Sequence, residues 1–211
     1  QMEICDPGII DKNFSADFTF DKPRIQYNTY HGYKMSLSYF IVVDIKQANL
    51  LSQKITQFYE IYFFLPYKRT NPIPPISMSV SLPNVSFDVL TSKGIYSTTD
   101  ILSGEIDCKN IHTSIDKISM HLVLTEKLKD KKELKSEETT IFEYELTDGI
   151  PIAGSGIPFR ISLQPFHIWT IRAQQSNSIL TTDFRFEIYV HKGTNATLVA
   201  QHVVFLYLRY I

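Results

Sequence analysis

Six histidines (His31, His112, His121, His167, His191, His202), two cysteines (Cys5, Cys108) and scattered carboxylates are the side chains here that could do chemistry. A zinc site needs several of them converging on one point, which a sequence announces by helical His spacing or a Cys/His cluster. Neither pattern occurs, and neither cysteine sits in a Cys-x-x-Cys pair. A serine or zinc hydrolase would carry Gly-x-Ser-x-Gly or His-Glu-x-x-His, and both are absent. Paired-carboxylate hydrolysis needs only two acidic groups brought together in space, and nothing in the spacing specifies such a pair. His121 lies inside an apolar strand pattern and reads as a core or edge histidine rather than a ligand. The chain is therefore read as non-enzymatic, with no catalytic, cofactor-binding or metal residues and no cofactor.

The glycine cluster "TDGIPIAGSGIPF" (147–159) is the remaining chemical candidate. A phosphate loop would continue into Lys-Ser/Thr, and a dinucleotide fingerprint would sit between a strand and a helix. Gly149, Gly154 and Gly156 meet neither condition, so the cluster is read as a turn between strands.

Composition narrows the classes further. Over 211 residues the net charge is −1, so the totals carry no nucleic-acid footprint. No run of 18 apolar residues spans a membrane, and no basic-then-apolar signal segment opens the chain, which starts at Gln1. Two isolated cysteines make no disulfide framework and read as reduced thiols of a cytosolic protein. The sequons at Asn13, Asn84 and Asn195 do not change that. Abundant Phe and Tyr point to sheet.

The elements follow from alternation. "FSADFTF" (14–20) reads as a strand. From Tyr33 the odd positions through Ile45 are apolar, a half-buried strand introduced by "YNTYHGY". "KITQFYEIYFF" (54–64) is too apolar on both faces for an outer edge. "LPYKRTNPIPPI" (65–76) carries four prolines, which cannot donate to a ladder, and marks a domain boundary. Short strands then follow at 77–82, 85–90, 102–108, 115–124, 139–146, 157–163, 184–190 and 199–208, the spacing of an antiparallel sandwich. "EKLKDKKELKSEE" (126–138) reads as a solvated hairpin loop between two of them. The expected organisation is a first sandwich part at 1–66, a linker at 67–76 and a second sandwich at 77–211. Three strands before the linker leave open edges, and about 80 further residues are expected upstream on typical domain sizes.

"YSTTDILSGEI" (96–106) resembles a phrase that recurs in arrestin folds, where Gly104 would allow a close backbone approach. "YELTDGIPIAGSGIPFRISL" (144–163), "DFRFEIYV" (183–190) and "VVFLYLRYI" (203–211) line up in order with the vacuolar-protein-sorting-26 family of arrestin-like coat subunits. "TYHGYKMSLSYFIVVDIKQANLLSQKIT" (29–56) is most similar to its retriever branch, called Down syndrome critical region protein 3. The resemblance implies an all-β, arrestin-like fold of two antiparallel β-sandwich domains, the first truncated at its N-terminus. It also makes "TYHG" a turn into a first-domain strand, with Gly32 in a conformation closed to other residues and Tyr30 and Tyr33 bracing it.

For function, the resemblance implies a cytoplasmic scaffold, peripheral on endosomes. Such a scaffold binds an α-solenoid coat subunit of the vacuolar protein sorting 35 type, and through it a metallophosphoesterase-like subunit. Sorting nexins or cargo tails are further partners, nucleic acid is not, and membrane association runs through the complex. "QPFHIWTIRAQQSNSILTT" (164–182) is the candidate partner-binding loop, because Phe166, Ile168, Trp169, Ile171 and Arg172 combine typical interface anchors with unusual loop length. The competing role for Trp169, the single tryptophan, is to cap its own core. The leading alternative is an arrestin-domain adaptor linking membrane receptors to ubiquitin ligases, and "NPIPPIS" (71–77) lacks the tyrosine of the Pro-Pro-x-Tyr motif such adaptors carry. An extracellular lectin or adhesin sandwich is the third class.

Overall fold

The computed structural model describes residues 4, 8, 15–20, 24–46, 54–65, 73–112, 114–130, 133–171 and 179–207. Apart from one 3-10 turn at Gln164–Phe166, the regular structure there is all strand. No helix among these residues is long and apolar enough to cross a membrane.

The N-terminal segment carries two small ladders. β1 (Tyr30–His31) pairs with β2 (Ser36–Leu37), and β3 (Tyr39–Lys46) pairs antiparallel with β4 (Lys54–Ile61). The remaining strands build a sandwich: β5 (Ser77–Leu82), β6 (Val85–Thr91), β7 (Ile95–Ser97), β8 (Ile101–Ile111), β9 (Lys117–Asp130), β10 (Glu133–Asp148), β11 (Gly156–Ser162), β12 (Leu180–Lys192) and β13 (Asn195–Tyr207). One sheet has the order β10-β9-β12-β13-β7 and the other β11-β8-β6-β5. Every pairing is antiparallel except β13 with β7. The all-β antiparallel sandwich expected from the strand spacing is the fold observed.

Alternation explains the core. Phe87 and Val89 of β6, Leu102 and Ile106 of β8, Met120 and Leu122 of β9, and Phe186 and Ile188 of β12 are all removed from solvent between the two sheets. Each such side chain stabilises the fold by about 1.5–3 kcal/mol. Gly104 sits where β8 runs between β6 and β11. A Cβ there would collide with the Leu90 carbonyl and with the Phe159 ring, which lies across the glycine. The close approach expected at this position is therefore real.

Three expectations are corrected. Residues 15–20 of "FSADFTF" are exposed and form no strand, because alternation yields a strand only where a partner completes the ladder. β4 pairs with β3 alone among the described residues, and Phe58 and Tyr59 stay exposed; apolar composition reports that a face needs cover, not which element supplies it. Within the charged stretch, residues 126–130 and 133–138 are paired ladder along β9 and β10, from Glu126↔Glu137 to Asp130↔Glu133, rather than loop. Long strands carry charge where their tips project past the core. β7 has only three residues, too short for alternation to show. Most of the proline-rich linker, 66–72, lies outside the described residues.

Candidate functional site

The lead-in "TYHGYKM" ends in a tight turn that the Gly32 N–H closes onto the Met35 carbonyl at 2.9 Å. The turn aims two successive backbone N–H groups at one point, a concavity suited to an anion. Glu126 of β9 fills it. Its Oε2 accepts from the Lys34 N–H at 2.9 Å, and its Oε1 from the Met35 N–H at 3.2 Å and from the Tyr30 hydroxyl at 2.7 Å. Glu126 and Tyr30 are both fully buried. Burial first, and then the carboxylate beside it, push the Tyr30 phenol far above its ordinary range, so it stays protonated and donates to Glu126. Gly32 is not in the left-handed region, so its role is not the conformational one expected. It supplies space: a Cβ there would collide with Glu126 Oε1 and the Tyr30 ring and hydroxyl.

Around this centre the N-terminal segment is tied to the far side of the candidate loop. Asn28 Nδ2 donates to the Thr170 carbonyl at 2.8 Å, and the Tyr33 hydroxyl to the Phe166 carbonyl at 3.3 Å. The Ile179 N–H donates to the Tyr27 hydroxyl at 2.7 Å. His167 takes a left-handed conformation, φ 47°, after the 3-10 turn. The chain changes direction there, sending Ile168 into the core and Trp169 towards His31, whose ring it meets edge-on at 5.0 Å. Phe166 packs on Phe142 with centroids 4.9 Å apart. Ile171 is half-buried, with its N–H on Thr182 Oγ1 at 3.3 Å. Arg172 lies outside the described residues. The structure thus brings Phe166, Ile168, Trp169 and Ile171 together against their own chain, at the junction with the N-terminal segment.

Glu126 was missed because it opens the run of charges read as a loop. Its signal was parity: Ile118, Met120, Leu122 and Leu124 face the core, and Glu126 is next on that face.

Two features lie elsewhere. On the outer face of the larger sheet, the Ser119 hydroxyl sits 3.1 Å from His121 Nε2 and 2.8 Å from His191 Nε2. His121 stacks on Tyr189 at 4.4 Å. Burial holds the His121 pKa below its ordinary value, against the pull of Glu143 and Glu187. Ser119 is fully buried, so no substrate reaches its oxygen, and the arrangement braces strands. Among the described residues no three His, Cys, Asp or Glu side chains are placed to hold a metal ion. The second feature is the glycine cluster, a turn between β10 and β11 with Gly149 and Gly154 at φ 82° and 79°. It presents Ile150 and Ile152, the latter 79% exposed. The turn adjoins Asp148, which pairs with Lys117, whereas Glu126 pairs with Glu137. It therefore lies about 30 Å along β9 from the junction.

Residues 1–190 match the family model described as vacuolar protein sorting-associated protein 26. Protein relatives named vacuolar protein sorting-associated protein 26 come from Dictyostelium discoideum (24% identical, 79% of this chain, 47% of the relative) and Drosophila melanogaster (25% identical, 78% and 34%). Vacuolar protein sorting-associated protein 26B of Arabidopsis thaliana is 24% identical over 79% of this chain and 54% of its own length. The chain thus spans about half or less of the length of these relatives, and they do not assign it to a branch. A crystal structure of Spo0M, a sporulation control protein from Bacillus subtilis, aligns at a TM-score of 0.46 and 14% identity over 61% of this chain and 51% of that one. With 190 of its 211 residues on one family model, the chain belongs to the vacuolar protein sorting-associated protein 26 family.

Proposed function

We propose that this protein is a non-catalytic scaffold in a retromer- or retriever-type endosomal coat, holding the end of an α-solenoid subunit while membrane cargo is retrieved. Family membership supports the sorting role. The observation that carries the scaffold reading is the pair of opposite ends of the sandwich. One end is taken up by the chain's own N-terminal segment around Glu126, and the other presents Ile150 and Ile152 on a glycine-hinged turn. Exposed apolar side chains on a positioned loop are what a solenoid end would cover. The segment of Trp169 is the second candidate contact, since Trp169 and Ile171 keep part of their surface open.

Affinity purification of the tagged full-length protein with mass spectrometry tests this reading. Recovery of a large α-solenoid protein and a metallophosphoesterase-like subunit supports it, and the solenoid's identity chooses the branch. Recovery of ubiquitin ligases and receptors without a solenoid overturns it in favour of the adaptor. Ile152→Asp and Trp169→Asp then locate the contact.

A cargo tail has a natural seat of its own. β5 is an edge strand reading "SMSVSL", without charge or proline, and Met78 and Val80 point inward. Among the other sandwich edges, β10 carries acidic side chains and two bulges, β11 carries Pro158 and Arg160, and β7 is only three residues long. An undefended edge accepts an extended peptide as an added strand.

A further inference from the structure

Asp116 stands in the connection from β8 to β9 and holds three stretches of chain together. Its N–H donates to the His191 carbonyl at 2.8 Å, and its own carbonyl accepts from the Gly149 N–H. Its carboxylate Oδ2 accepts from the Gly193 N–H. Gly149 opens the turn that carries the exposed Ile150 and Ile152, and Gly193 lies in the bend between β12 and β13. Both glycines are left-handed, at φ 82° and 59°, a conformation that glycine takes without steric cost. The far root of the apolar turn is fixed as well. The Gly154 N–H donates to the Cys108 carbonyl at 2.6 Å, and the Ser155 hydroxyl to the Ile152 carbonyl at 2.6 Å. The two isoleucines are thus carried on a loop anchored at both ends.

We propose that Asp116 is a positioning residue, whose carboxylate locks the β12–β13 bend to the Ile150–Ile152 turn and so presents the two as one preformed docking surface. Its N–H and its carboxylate grip the bend at His191 and Gly193, two residues apart. Two grips fix the orientation of Asp116, and its carbonyl is thereby aimed at the Gly149 N–H. Asp116 itself is exposed, so the core does not need this carboxylate. An interface gains affinity when its loops are ordered before the partner arrives. The partner that fits is the apolar end of an α-solenoid. The binding half of this inference therefore rests on the coat reading above, and the positional half does not.

The full-length protein tests both halves. Asp116→Ala removes the acceptor for Gly193, whereas Asp116→Asn keeps a side-chain oxygen in its place. Amide hydrogen exchange at Gly149 and Gly193 is expected to speed up about tenfold in Asp116→Ala and to stay near the parent in Asp116→Asn. Slow exchange at Gly149 in Asp116→Ala overturns the positioning role. Recovery of the solenoid by the tagged protein is expected to fall about fivefold with Asp116→Ala and to be restored by Asp116→Asn. Recovery lost with Asp116→Asn while its amides stay slow means that the partner reads the charge itself, and overturns positioning as the cause. Ile152→Asp separates the two readings. If it leaves recovery unchanged, the contact proposed for this turn is wrong, and exchange by itself decides the role of Asp116. If it abolishes recovery and Asp116→Ala does not change it, the contact stands and the positioning proposal falls.

Discussion

Tyr30 and Glu126 are 96 positions apart in the chain and share a 2.7 Å hydrogen bond with neither side chain open to solvent. This bond and the two backbone N–H groups that join it hold the N-terminal turn onto the sandwich. Glu126→Ala leaves all three donors without a partner. It is expected to destabilise by about 2–4 kcal/mol, against about 1–2 kcal/mol for Tyr30→Phe, which removes one donor and leaves the carboxylate two. Urea unfolding of both variants measures this. Equal effects would mean that the phenol alone matters.

Gly32→Ala pushes a methyl group into the same carboxylate and phenol. Gly104→Ala pushes one into the Leu90 carbonyl. Both are expected to cost about 1–3 kcal/mol, with Gly104 the larger because a backbone cannot turn away. Hydrogen exchange separates them: Gly32→Ala speeds exchange at Lys34 and Met35, and Gly104→Ala leaves those amides slow. Fast exchange at both sites in both variants would refute the local account of Gly32.

The depressed His121 pKa has a pH signature of definite sign. The unfolded chain takes up a proton near pH 6.5 and the folded one only lower, so this group's stability is fully present above about 6.5. It is lost as pH falls through the folded value. NMR titration of the ring reads the folded pKa, and pH-dependent melting reads the linkage. His121→Gln is expected to flatten the slope below pH 6.5.

Ile152→Asp is expected to leave stability within about 0.5 kcal/mol of the parent, because the side chain is 79% exposed. Solenoid recovery should fall at least tenfold, while Trp169→Asp weakens the junction instead. Recovery unchanged by Ile152→Asp and lost with a well-folded Trp169→Asp would move the contact to the loop first read from the sequence.

Ser79→Lys combined with Ser81→Lys places charge on the β5 edge without touching the inward Met78 and Val80. Binding of an extended cargo-tail peptide, read by fluorescence anisotropy, is expected to drop while the melting temperature holds. The same lysines on β10, already charged, should change nothing.

Most of the sandwich was legible because alternation is a local property. β5, β6 and β11 show the period-2 pattern plainly, and Gly104 stands where two neighbouring strands crowd it. The 14–20 segment shows the limit: an alternating pattern is necessary for a strand, and a partner is what makes one. The residues of the junction were half legible. Phe166, Ile168, Trp169 and Ile171 stood out as an apolar cluster in a long loop, yet nothing local said that the cover for Ile168 would be the chain's own core or that Trp169 would face His31. Glu126 carried its answer in its parity and hid it in its charge. By itself, then, the sequence determined which residues alternate, which turns need glycine and which family the pattern resembles. Tertiary structure alone decided that a carboxylate in a charged run is buried, because its partners are a turn of N–H groups about 90 residues away whose approach no local period encodes.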